Sequence, residues 1–253
     1  MIYRVIAGAT LALATTLSAH AAVGVTSTAF TYGQSFDSLA STGTANVWAN
    51  DSTLPGWAIY TAAGADVASY RAGTGSTNNG AAYSFGTGAD RALGGVGSNA
   101  FSGFFALALS NLSGQTLSSF TLSFDGEQWR NGGNTTPQTM AFQYGFGGTY
   151  AGVTTWISPG GDFDWTSPIA TSTAAAVDGN VAGLVAHRGG TVATPWAADQ
   201  TLWLRWADVN DTGSDHGLAI DNVALSVTAV PENSSLALLL AGLGAMGLLI
   251  RRR

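Results

Sequence analysis

Between Asp208 and Asp215 the chain places Asp208, Asn210, Asp211, Gly213 and Asp215 within eight residues. Calcium takes six to eight oxygen ligands from flexible, carboxylate-rich loops, so Asp208, Asn210 and Asp211 are candidate ligands, although their spacing is not that of an EF-hand. An Asx-rich turn that holds no ion would have the same composition. Just downstream, apolar residues stand at 218 and 220 and then change parity to 223, 225 and 227. A strand with one buried face must slip by one residue to accommodate that change, and a β-bulge at Asp221-Asn222 is the simplest device. The bulge would re-aim Asp221, which joins the candidate metal ligands.

Other chemistries find less support. A Ser-His-Asp relay needs a histidine base, and beyond the N-terminal segment the chain has only His187 and His216, with no Gly-x-Ser-x-Gly elbow. Glycoside hydrolysis needs two carboxyls flanking one bond. Glu127 is the single Glu ahead of the C-terminal segment, and Asp162 with Asp164 is the nearest acid pair, on one face if that stretch is a strand. Two scattered histidines and no cysteine make no zinc spacing. The expectation is a protein that is not an enzyme, with a secreted glycoside hydrolase as a minor alternative. For binding, Trp203 alternates with Leu202, Leu204 and Trp206 and stands beside Arg205. An outward Trp203 could stack on a sugar ring while Arg205 fixes a hydroxyl or carboxylate, unless the strand is covered on both faces.

The elements that must position these residues have a period of two. Phe120, Leu122 and Phe124 alternate with Thr121 and Ser123, and Met140, Phe142, Tyr144 and Phe146 with Ala141, Gln143 and Gly145. Each reads as a half-buried strand, and the continuous apolar run Phe104 to Leu109 reads as a central strand covered on both sides. Phe124 to Arg130 resembles a strand and turn seen in jelly-roll modules of exported bacterial proteins. Ala72 to Gly80 and Asn131 to Pro137 have the Gly, Ser, Thr and Asn content of loops. With no helical period between the two ends, the pattern predicts an all-β antiparallel sandwich or jelly roll spanning 22–229.

The chain has no Cys, which excludes disulfides and thiol nucleophiles, and no Lys. Between Ala22 and Val230 fourteen acids face five arginines, a formal charge of −9. Phosphate binding needs clustered cations, so nucleic acid is not an expected partner, whereas divalent cations are compatible. Eight Trp and the long alternations predict a packed fold.

Both ends carry targeting patterns. In residues 1–21 Arg4 supplies a positive start, Val5 to Leu17 an apolar stretch and Ala19-His20-Ala21 a small-x-small site, which predicts a signal peptide cleaved between Ala21 and Ala22. At the other end, 230–253, Pro231-Glu232 precedes fifteen uncharged residues from Leu236 to Ile250 and then Arg251, Arg252 and Arg253. As a helix the run would cover roughly 22 Å, somewhat short of a ~30 Å hydrocarbon core, with Leu236, Leu240, Leu243, Leu248 and Ile250 facing lipid. The arginines would stay on the cytoplasmic side and leave the rest of the chain outside.

This order of parts resembles the PEP-CTERM sorting signal of exported bacterial proteins, with Asn233 where the family usually has a second Pro. The resemblance implies transient anchoring in the inner membrane, cleavage near Pro231-Glu232 by an exosortase-type transpeptidase, and a final place at the cell surface or in the extracellular matrix. An anchor that is never cut is the alternative. Leu202 to Trp206, Asp208 to Asp215 and Ala219-Ile220-Asp221-Asn222-Val223, with Phe36-Asp37 and Pro55-Gly56-Trp57, are similar to jelly-roll modules of extracellular bacterial proteins, some of which bind carbohydrate. That likeness implies a structural calcium shared by Asp37 and Asp221. Together the readings predict a structural or adhesive protein of an exopolysaccharide or biofilm layer, with binding to an extracellular polysaccharide, as by a carbohydrate-binding module, as the runner-up.

Overall fold

The structure, a computed structural model, describes residues 22–229. Among them are fifteen strands: β1 (Val23–Val25), β2 (Thr31–Gln34), β3 (Asn46–Val47), β4 (Trp57–Thr61), β5 (Ser69–Gly73), β6 (Ala81–Phe85), β7 (Ala92–Val96), β8 (Gly103–Asn111), β9 (Leu117–Asn131), β10 (Thr139–Phe146), β11 (Trp165–Thr166), β12 (Ala175–Ala176), β13 (Leu184–Trp196), β14 (Thr201–Asp208) and β15 (Gly217–Ala229). Helix is confined to two three-residue 3₁₀ turns, Tyr150–Gly152 and Gly161–Phe163. The all-β expectation holds. So does the loop chemistry: β5 runs on to Gly73, but the Ser, Thr and Asn stretch after it connects strands rather than forming one.

The strands form two sheets. In the first, β4 and β1 share one edge of β8, which pairs on its other edge with β14, followed by β10 and β11. In the second, β9 and β15 run side by side through the middle. β13 and β12 share the outer edge of β9, while β7 and β2 share the outer edge of β15. The pairing is antiparallel except at two places, where β1 with β8 and β5 with β6 are parallel. Parallel neighbours cannot be joined by a tight hairpin, which is why residues 74–80 form a long polar loop returning to the start of β6.

The inner faces meet in one apolar core. Phe105, Leu107, Leu109, Met140, Phe142, Leu202, Leu204 and Trp206 come from the first sheet, and Phe120, Leu122, Phe124, Leu218, Ile220, Val223, Leu225 and Val227 from the second. Their period-two spacing puts each set on one face, and burying it is the main driving force for the sandwich. Trp206 stands at the centre. It stacks on Trp57 at 5.7 Å between centroids and takes the edges of Phe124 at 5.4 Å and Phe142 at 5.3 Å.

Phe124 to Arg130 is not a strand and turn, since β9 is continuous to Asn131. What looked like a turn glycine, Gly126, instead lets the Trp165 ring lie on the strand: a Cβ there would sit 2.3 Å from the ring. Gly126→Ala should therefore overpack this contact and cost roughly 1–3 kcal/mol. The check is a lower urea midpoint with an unchanged m-value. Asp162 and Asp164 do not form an acid pair on a strand either. They lie on and just after the second 3₁₀ turn, Asp162 paired with Arg188 at 3.1 Å and Asp164 accepting from the Phe142 N–H.

Candidate functional site

The parity change in β15 is a bulge, and the register shows what it is for. Asp221 pairs with Asp125 and Ala224 with Ser123, so β15 advances three residues while β9 advances two. Asn222 takes the extra step at φ 50°, a left-handed conformation that Asn tolerates better than most residues. The bulge coincides with a change of partner on the other edge of β15: Gly217 to Ile220 pair with β7, Val223 to Ser226 with β2. Gln34 opposes Val223, so Ser35-Phe36-Asp37 runs on across the gap. Asp37 then accepts the Arg91 N–H at 3.0 Å and ties β2 to the start of β7. A second bulge faces the first across β9, between Val185 and Arg188, with His187 at φ 57°. Asp125 staples both, accepting from the His187 N–H at 2.8 Å and from Asn222 Nδ2 at 3.0 Å.

Here the structure brings Asp37 and Asp221 within electrostatic reach of each other and adds Asp90 and Glu127, the latter weighed above only for hydrolysis. Asp221 is 2% exposed, and its Oδ1 is buried with no hydrogen-bond partner. Burial, reinforced by Glu127, Asp90 and Asp37, pushes its carboxyl up to about 8. Glu127 is equally buried, and its Oε2 accepts from Trp129 Nε1 at 2.8 Å. Burial raises it to about 7, the Trp129 bond working against the shift and nearby Asp90, Asp125 and Asp178 with it. Arg91 stands close, but its guanidinium is turned onto Ser84. An orphaned carboxyl oxygen among further acids is a donor set that suits a hard cation once ionised. Among the described residues no three Asp, Glu or His side chains form a ready metal cluster, so a cation here would also draw on main-chain and carboxamide oxygens.

The loop from Asp208 to Asp215 holds a second such group: Asp208 Oδ2 is buried with no hydrogen-bond partner, with Asp215 and Asp211 as its acidic neighbours. Asn210 Nδ2 donates to Asn99 Oδ1, and Asp215 Oδ1 accepts from the Asp211 N–H at 2.7 Å, closing the loop. Asp208 points inward: it is 3% exposed, a Cβ on Gly95 would meet its Oδ2 at 2.4 Å, and burial raises its carboxyl well above the usual range. Asp208 thus stays a candidate ligand at the end of β14, as enclosed as Asp221. His216, the other candidate base, is also enclosed, its Nδ1 accepting from the Gly132 N–H.

Trp203 is not an outward platform. It is fully buried beneath the loop after β10, where its Nε1 donates to Gly147 O, and packs with Tyr150 and Val153. Both faces of β14 are therefore covered, the outer one because Ala58, Ala106 and Ala108 are small enough for a loop to settle over them. Arg205 does reach the outer face. Its guanidinium lies between Phe104 at 4.0 Å and Trp156 at 3.8 Å and donates to Gln143 Oε1 and the Tyr150 hydroxyl. Cation–π contacts and bonds to neutral partners hold this charge in place, in a setting that the i, i+2 pattern could not show.

Ala22 begins the described residues; Ala21, Pro231, Glu232 and the anchor positions Leu236, Leu240, Leu243, Leu248, Ile250, Arg251, Arg252 and Arg253 lie outside them. The signal peptide and the membrane helix are thus outside what the structure describes. Among the described residues no helix is long and apolar enough to cross a membrane. No curated protein matches the chain. Residues 229–253, beginning where β15 ends, match the PEP-CTERM protein-sorting motif, the C-terminal sorting signal of exosortase substrates. A β-rich body ahead of that signal makes this chain an exported, transiently membrane-anchored protein processed by exosortase.

Proposed function

We propose that the protein is a structural or adhesive component of an extracellular polysaccharide or biofilm layer, placed at the cell surface or in the matrix once its tail is removed. The observation that carries this reading is the sorting motif behind a β-sandwich body. The body acts by binding and not by catalysis. The acids that could serve hydrolysis are committed elsewhere: Glu127 is buried on Trp129, Asp162 pairs with Arg188, and Asp164 holds the Phe142 N–H. Calcium supports the fold at the seam where β2 and β7 meet β15, held through Asp221 and Asp37. The orphaned Asp221 Oδ1 supports that assignment.

Intact mass and cell fractionation test the reading in a host with its own exosortase. The mature protein should begin at or near Ala22, end near Pro231-Glu232, and appear in the extracellular polymer fraction. Full-length chain retaining Arg253 in the inner membrane would overturn processing and placement together. Hydrolysis of glycans by the purified mature protein would overturn the non-catalytic role.

A further inference from the structure

The two ends of the described chain leave the sandwich at the same pole. Val25 pairs with Asn111 at the end of β8, and Ala229 pairs with Leu117 at the start of β9, its carbonyl accepting from Ser118 Oγ. The sorting segment therefore departs from the pole that carries the 111–117 turn. β15 then spans thirteen residues, roughly 40 Å, to the opposite pole at Gly217. While the tail holds the protein at the membrane, that far pole is the end remote from the point of attachment.

Two clefts lie on this far pole, on either side of the loop 211–215. One, of about 180 Å³, is lined by Asn78, Ser98, Gly132, Ser214 and Asp215 among others; its neighbour, of about 310 Å³, by Asn134, Thr136, Pro137, Gln138, Asp211 and Thr212. Hydroxyls, carboxamides and two carboxylates make up the polar lining, with no Lys, Arg or aromatic side chain in it. The ridge between the clefts is held by bonds within the pole: Asn134 Nδ2 and Gln138 Nε2 donate to Thr212 O and Ser214 O, and Asp211 N–H to Asp215 Oδ1. The groups are thus set in place before a ligand arrives, which lowers the entropy cost of binding.

We propose that this far pole is the polymer-contacting end of the protein, and that its paired clefts bind the hydroxyls of a neutral polysaccharide chain. This rests on the reading that the protein works in an extracellular polysaccharide layer. Interleaved donors and acceptors suit sugar hydroxyls, which both donate and accept. Asp211 and Asp215 repel uronate or phosphate groups, and without an arginine or lysine there is nothing to offset that repulsion. With no ring to stack on a sugar face, each site is weak, on the order of 1 mM, and retention in a layer comes from many copies on one polymer.

The test uses the mature exported protein on immobilised neutral and uronic-acid polysaccharides. Retention on the neutral polymers, lost at least several-fold in Asp211→Ala and in Asn134→Ala/Thr136→Val, is the expected result, with the melting curve of each variant confirming that it folds. Arg205→Gln, on the outer face of the first sheet, should leave retention unchanged. Equal or stronger retention on the uronate polymers, or retention sensitive to Arg205→Gln and not to the far-pole variants, would overturn the proposal. Protein that is correctly processed and found in the polymer fraction but shows no retention on any neutral polymer would overturn the clefts as the binding site while leaving the extracellular role intact.

Discussion

In calcium-free buffer the mature protein should lose stability steadily as pH rises from about 5 to about 8, and millimolar calcium should restore most of the loss at the alkaline end. The sign follows from the buried carboxyls: Glu127 and Asp221 at the seam, with Asp208 and Asp215 shifted in the same direction. Glu127 and Asp221 titrate in the folded state near 7 and 8, against 4.5 and 3.8 for the free groups. Between those limits the folded state holds protons that the unfolded chain has released. Stability is therefore fullest below about pH 4 for these groups and falls by up to about 1.4 kcal/mol per pH unit for each, until the folded carboxyls ionise. The two interact, so the loss belongs to the pair, and it amounts to several kcal/mol of a typical ~5–15 kcal/mol. On the calcium proposal, the ion would take the ionised form. At a hundredfold excess over Kd it returns about 2.7 kcal/mol, with the gain largest where protons no longer compete. Melting curves at pH 5, 6.5 and 8, in chelator and in calcium, report both effects. Asp221→Ala should abolish the calcium gain and lessen the pH slope, whereas Glu127→Gln, which can still accept from Trp129, should lessen the slope alone. Identical melting in chelator and calcium at pH 8 would remove the cation from the seam.

The second large effect is expected at the middle of the core. Trp206→Ala removes a fully buried ring that joins Trp57 of the first sheet to Phe124 of the second, and should cost roughly 3–5 kcal/mol. For a body of this size that lowers Tm by roughly 6–20 °C. The indole N–H of Trp206 is buried without a hydrogen-bond partner. Trp206→Phe therefore loses part of the ring but also an unsatisfied donor, and should cost less than half as much. A Phe variant as unstable as the Ala variant would show that the complete indole, and not aromatic volume alone, is required at this position.

How far the fold could be read from the chain depended on the range of the interaction. Alternation along β9, β10 and β14 is a local pattern whose cause, one face in the core, repeats every second residue, so those strands were legible. The slip at Asp221-Asn222 was legible for the same reason, because a bulge leaves its mark as a break in parity. Its purpose was not. That two strands, β2 and β7, divide one edge of β15 between them depends on pairings between residues far apart in the chain. The second bulge at His187 left no comparable mark, since β13 is an edge strand with most of its side chains outside the core.

The sequence by itself determined the export and sorting reading at the C-terminus, the all-β class and the parity break, because each rests on composition or spacing within a short window. Only the tertiary structure decided which candidate groups meet. It buried Trp203 under a loop that small residues on β4 and β8 admit, and it tied the loop from Asp208 to Asp215 to Asn99, Asn134 and Gln138. It also placed Glu127 and Asp90 beside Asp221 from segments far away in the chain. Side chains that approach across strands have no common period, and the free energy of a buried charge depends on everything around it.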